Sequence, residues 1–122
     1  MSITTTLKYS DVIAGTSNPN VLLIKPAVDT PTRAVEYSVR FSYAEFWGVK
    51  DLSGTNNTNE VLYGYKTGED ESGQPIYLLK RVIPVGEFVP LMVDNLMLHR
   101  DLSEFIFKTQ SENDAILILY WL

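Results

Sequence analysis

Apolar residues in this chain come in short runs, cut roughly every eight to twelve residues by polar, glycine or proline punctuation. The last forty or so residues carry the pattern most clearly. They contain Ile83-Pro84-Val85-Gly86-Glu87-Phe88-Val89-Pro90-Leu91, then Leu96-Met97-Leu98, then Glu104-Phe105-Ile106-Phe107-Lys108-Thr109. After a polar turn at Gln110 to Asp114 comes the most hydrophobic segment, Ala115-Ile116-Leu117-Ile118-Leu119-Tyr120-Trp121-Leu122. Spacing of this kind predicts an antiparallel β-sandwich. The cleanest strand lies upstream, where Tyr37, Val39, Phe41 and Tyr43 alternate with Ser38, Arg40 and Ser42 and give one apolar and one polar face. Its β-branched and aromatic content suits a pleated surface.

The remaining segments fit the same plan. Thr4 to Tyr9 is Thr-rich and reads as an opening strand, followed by turn-forming residues from Ala14 to Asn20 and the short run Val21-Leu22-Leu23-Ile24. Asp51 to Asn59 and Gly68 to Pro75 are polar loops. Val61 to Lys66 and Ile76 to Val82 flank the second loop and predict a hairpin with an acidic tip at Glu69-Asp70-Glu71. Leu91 to Arg100 has a weak helical stripe, but Pro90 and the short span favour a strand pair. Tyr37, Val39, Phe41, Phe105, Phe107, Ile116 and Ile118 are the expected core. The expectation is a single all-β domain over 1–122, an antiparallel sandwich of jelly-roll-like or immunoglobulin-like form.

Composition narrows what such a sandwich does. A chain of 122 residues with 45% hydrophobic and 20% charged residues buries a real core without being disordered. It has no cysteine, so disulfides and thiolate chemistry are excluded. A net charge of −5, with basic residues scattered apart from Lys80-Arg81, argues against a nucleic-acid surface. No apolar stretch approaches the ~20 residues of a membrane helix. The opening Met1 to Thr6 lacks the basic and apolar regions of a secretory signal.

Candidate chemistry is sparse. His99 is the single histidine, so a metal site or a Ser-His-Asp triad would rest on it alone; a strand-end histidine beside Arg100-Asp101 is the simpler reading. Glu69-Asp70-Glu71 lacks the spacing of a Ca²⁺ loop and reads as a solvated tip. Asn56-Asn57-Thr58 matches a glycosylation sequon, and no phosphate-binding or nucleophile-elbow motif is present. The expectation is a protein that is not an enzyme and holds no cofactor and no metal.

The aromatic residues suggest contacts instead. Phe46 and Trp47, together with Tyr120, Trp121 and Leu122, are the expected interface residues, since Tyr and Trp serve as anchors and Ile116 to Leu122 is apolar on both faces. The first and last strands are natural partners for edge pairing with a neighbour. The competing reading makes the last strand central in a monomeric two-layer core. Tyr63, Tyr65 and Tyr77, on neighbouring predicted strands, are the alternative ligand-binding set: a stacking platform for sugars in a carbohydrate- or receptor-binding module.

The segments from Ile83 to Leu91, Leu96 to Leu98, Arg100 to Thr109 and Asn113 to Ile118, together with Thr4-Thr5-Thr6-Leu7, resemble the small β-sandwich virion proteins of tailed bacteriophages. That family ends on a Pro/Ala-Gly turn, two short strands, a Gly-Asp turn and two closing strands. Here Arg100-Asp101 stands in place of Gly-Asp, and Asp51 to Gln74 is an insertion relative to the compact form. The resemblance covers the first strand and roughly the last forty residues. It implies a structural virion subunit serving as head decoration, neck connector or tail accessory. Its partners would be other capsid, neck or tail subunits and further copies of itself.

Overall fold

The computed structural model describes residues 19–92 and 100–122. The Thr4 to Tyr9 strand and His99 lie outside the described residues. Among the described residues, ten strands follow in chain order: β1 (Asn20–Ile24), β2 (Thr32–Arg33), β3 (Arg40–Phe41), β4 (Tyr43–Trp47), β5 (Val61–Glu69), β6 (Pro75–Ile83), β7 (Phe88–Met92), β8 (Arg100–Asp101), β9 (Phe105–Lys108) and β10 (Ile116–Trp121). A single 3-10 turn, Leu102–Glu104, separates β8 from β9. The all-β expectation is met.

Pairing follows one nested scheme. β1 pairs with β10, β2 with β9, β3 with β8, β4 with β7 and β5 with β6, every pair antiparallel. The chain is therefore one long hairpin whose apex is the β5–β6 turn. Rolling that hairpin adds two further ladders, β10 on β4 and β9 on β5. The result is two four-stranded sheets, β1-β10-β4-β7 and β2-β9-β5-β6, with β3-β8 as a separate ribbon. This is the jelly-roll order, not the ABED/CFG order of an immunoglobulin domain.

The core lies between the sheets. Ala44, Phe46, Ile116 and Ile118 from one sheet meet Val61, Tyr63, Ile83, Phe105 and Phe107 from the other, with Phe41 of the ribbon at their margin. The expected core residues Phe41, Phe105, Phe107, Ile116 and Ile118 are fully buried, and Val39 packs partly against them. Tyr37 is a correction. It precedes the ribbon, outside any strand, and is 70% exposed.

The last strand also departs from the edge-pairing expectation. β10 is central, with β1 on one side and β4 on the other, so its backbone has no free edge along those ladders. Ile116 and Ile118 face the sandwich core, while Leu117 and Leu119 belong to a second cluster with Trp47 and Val49. These four residues of β10 are fully buried. A strand buried on both faces reads as a continuous apolar run, which is why Ile116 to Leu119 shows no alternation.

The hairpin apex matches the sequence reading. Asp70 accepts hydrogen bonds from the Ser72 and Gln74 amides, both at 2.9 Å, and from the Ser72 hydroxyl at 2.8 Å. Gly73 takes the positive φ of 86° that closes the turn. The hairpin carries two β-bulges. One leaves Lys80 unpaired between Leu79 and Arg81, and the other leaves Thr67 unpaired on β5. At Gly64, beside the first bulge, a Cβ would sit 1.9 Å from the Leu78 carbonyl oxygen, so glycine is required by the close approach.

Asp101 fastens the ribbon to the 3-10 turn. Its carboxylate accepts from the Val39 amide at 2.9 Å, the Ser103 amide at 2.9 Å and the Ser103 hydroxyl at 2.7 Å, and from the Ser38 hydroxyl. Partial burial raises its pKa, but the bonds from Ser38, Ser103 and Val39 outweigh that and hold it at about 2, below the ordinary 3.8. Because the folded value is depressed, the stabilisation is complete above about pH 4. It is lost as pH falls through the folded value near 2. Asp101→Ala should cost about 1 kcal/mol at pH 7, in the range of a lost cap. The gap from wild type should narrow between about pH 4 and pH 2. Urea midpoints across that range measure it, and a gap constant down to pH 2 would contradict the account.

Candidate interaction surface

Two regions outside the sandwich core gather aromatic and apolar residues, the first largely buried and the second exposed. The first is the outward face of sheet β1-β10-β4-β7. Along β4, odd positions point this way. Tyr43 and Trp47 flank Glu45, whose carboxylate accepts from the Tyr43 hydroxyl at 2.7 Å and the Trp47 indole N–H at 3.0 Å. Burial, and then the hydrogen bond and charge of Glu45, raise the Tyr43 phenol above the ordinary tyrosine range. Trp47 stacks on Phe88 of β7 at 4.6 Å and 23°, and Tyr43 packs on Trp121 of β10 at 5.3 Å and 43°. Glu45 is buried with two donors aimed at it, so it acts as a polar pin that fixes both rings.

This face gathers some of the expected interface residues and excludes two. Trp47 is buried and Trp121 half-buried on it, and Leu122 at the chain end is 75% exposed, whereas Tyr120, half-buried, packs on the sandwich core with Ile116 and Ile118. Phe46 is a correction. It points between the sheets, fully buried, and touches Tyr63, Phe105 and Phe107 edge-on. Strand alternation decides this: the neighbours Phe46 and Trp47 must face opposite ways, so both cannot serve one surface. Tyr43 likewise lies on the outward face and not in the core set.

The tyrosines expected to form a sugar platform do not converge. Tyr63 is buried edge-on against Phe46 at 5.7 Å and 86°. Burial raises its pKa, partly offset by the Arg81 charge. Tyr65 is half-buried on the core side, with the Arg100 guanidinium 6.0 Å from its ring centre. Tyr77 pairs with Lys66, on the opposite side of the sheet from Tyr65, and its hydroxyl donates to the Ser103 carbonyl at 3.4 Å. A cleft of about 380 Å³ beside it is lined by Arg33, Lys66, Asp101, Ser103 and Glu104. Most of its charges already have partners: Lys66 holds Glu69 at 3.0 Å, Arg33 faces Glu36 at 3.7 Å, and Asp101 is engaged as described.

The second surface is the hairpin arm β5–β6. β6 closes its sheet and, among the described residues, has β5 as its only ladder partner. Ile76 is 47% exposed, Leu78 37% and Val82 38%, with Lys80 and Arg81 exposed between them. Sequence reasoning placed this hairpin correctly but gave β6 no contact role beyond Tyr77 in the alternative sugar platform. The signal was present in Ile76-Tyr77-Leu78-Leu79, an apolar run next to an acidic turn at a hairpin end.

Other residues that sequence reasoning passed over hold the loops in place. The Asn57 side chain pairs with the Ala115 backbone in both directions, at 2.8 and 3.0 Å. Asp114, fully buried, accepts from the Thr58 amide at 2.7 Å and the Asn59 amide at 2.9 Å. Asn56-Asn57-Thr58 thus forms part of a structural pin between the 51–59 loop and the turn before β10. Comparison with protein-family models, curated proteins and solved structures gives no match.

Proposed function

We propose that this chain is a non-enzymatic structural subunit of a tailed-phage virion, a head decoration, neck or tail accessory protein that assembles with copies of itself and with neighbouring virion proteins. The observation that carries the reading is the jelly roll itself with an apolar strand left on its edge. Rolled double sheets of this order are a recurrent shell-building module. The resemblance of the N-terminal and C-terminal segments to small virion sandwiches points the same way. Exposed Ile76, Leu78 and Val82 on an edge strand give such a block a surface to join. Mechanically, the two-layer core is the rigid unit and the hairpin arm and outward face make the joints.

The direct test is location. Antibodies against the chain, applied to purified phage particles that encode it, should label the particles at one repeated position in electron micrographs. Protein found only in the free pool of the lysate, with clean particles, would sink the virion reading.

A further inference from the structure

We infer that β6 is a self-recognition edge: it pairs antiparallel with β6 of a second copy across a two-fold axis, joining two β2-β9-β5-β6 sheets into one. The inference deepens the assembly reading above and rests on it. Three observations converge. β6 runs for nine residues at the end of its sheet, with β5 its only ladder partner among the described residues, so its other side offers unpaired backbone groups along most of its length. Ile76 and Leu78, two apart and on one face, are exposed there although both are apolar. The charges are arranged for a copy running the opposite way: acids lie in the turn before β6, and Lys80-Arg81 lie near its far end.

An axis through Tyr77 satisfies all three. Residues equidistant from it then oppose each other, which sets Ile76 of each copy against Leu78 of the other. Lys80 and Arg81 of one copy come opposite Gln74 and Gly73 of the other, beside Glu71 of the acidic turn. Glu71 is the acid to meet them, because Asp70 is committed to closing its own turn and Glu69 holds Lys66 at 3.0 Å. The bulge at Lys80 ends the regular stretch. It therefore limits the new ladder to the segment from Pro75 to Leu79, centred on Tyr77, and leaves the cations beside the partner's turn. A parallel alignment would place like charges side by side, so the charge order also selects the antiparallel, isologous arrangement. A second copy is the occupant that this self-complementary pattern fits.

The absence of cysteine makes the test direct. Tyr77→Cys places one thiol on the axis, within disulfide reach of its counterpart. Mild oxidation should give a covalent dimer, while Leu52→Cys, exposed in a distant loop, should remain uncrosslinked. Two-fold repulsion in the Ile76→Lys, Leu78→Lys double variant should weaken self-association about tenfold or more by sedimentation. Arg81→Glu should weaken it too, and adding Glu71→Arg should restore it. Circular dichroism establishes that each variant is folded. A native oligomer that ignores the lysine substitutions, with no Tyr77→Cys crosslink, overturns this edge and leaves the assembly reading standing on another surface. A strict monomer at every concentration, again without crosslink, also overturns it, and particle labelling then decides the assembly reading separately.

Discussion

Phe46→Ala is expected to destabilise the fold by about 3–5 kcal/mol, the range for removing a buried aromatic ring. Phe46 is fully buried, and its ring lies 5.0 Å from Phe107, 5.2 Å from Phe105 and 5.7 Å from Tyr63, each contact close to perpendicular. Those partners come from β9 and β5 of the opposite sheet, so one side chain couples both layers. Alanine would lose the transfer energy of the ring and leave a cavity whose walls are held by two hydrogen-bonded sheets. It would also lose edge-to-face contacts worth about 0.5–1.5 kcal/mol each beyond area. Against a typical total of about 5–15 kcal/mol, that removes a large share of stability. Chemical denaturation reads the loss directly. A contact residue on the surface would behave otherwise, with Phe46→Ala folding normally and failing only to assemble. A stability change under about 1 kcal/mol would therefore return Phe46 to the interface and undo the core described here.

The residues around Phe46 also mark where sequence patterning stops being readable. Tyr37, Val39, Phe41 and Tyr43 look like one strand because a period of two runs through them. In the fold the chain changes partners inside that run. Phe41 belongs to the β3–β8 ribbon, Tyr43 begins β4, and Ser42 between them donates its amide to the Trp121 carbonyl at 2.8 Å. Alternation holds only within one strand, so parity resets at Ser42 and Ala44 and Phe46 become the inward pair. Nothing local in the sequence reports such a reset. It arises from rolling a long hairpin, which obliges the chain to pass from one sheet to the other at corners. The β5–β6 hairpin was legible for the opposite reason. Both of its strands lie in one ladder joined by a short turn, and Asp70 and Gly73 are the residues such a turn needs. The central place of β10 was open to two readings. A run apolar on both faces fits a strand covered twice as well as one awaiting a partner, and only the ladders to β1 and β4 decide it.

Asp114→Ala is expected to be the most damaging single change outside the aromatic core, at about 2–5 kcal/mol, because it strips a buried acceptor from two backbone donors. The Asp114 carboxylate is fully buried and takes one amide on each oxygen, Thr58 at 2.7 Å and Asn59 at 2.9 Å. Lys50 stands 4.0 Å away and itself reaches the Thr58 hydroxyl at 3.0 Å. Without the carboxylate, the Thr58 and Asn59 amides must find water or move, and movement also strains the adjacent Asn57–Ala115 pairing. The conservative change separates charge from shape. Asp114→Asn keeps one acceptor oxygen but turns an amide group toward a backbone donor, so it should cost less than alanine and more than nothing. Asn57→Ala should be non-additive with Asp114→Ala in a double-mutant cycle, since both changes release the same loop. Urea unfolding of the four proteins provides the cycle. Full additivity, or an Asp114→Ala cost below about 0.5 kcal/mol, would mean that the 51–59 loop is held without this pin. The pin matters to the proposed role because Asn57 also donates its amide to the Gly48 carbonyl, next to Trp47. Releasing the loop should loosen the end of β4, and with it the Trp47–Phe88 stack on the outward face. Tryptophan fluorescence of Asp114→Ala should therefore shift toward that of solvent-exposed indole before the protein unfolds globally, linking a turn remote from the hairpin arm to the order of the other candidate surface.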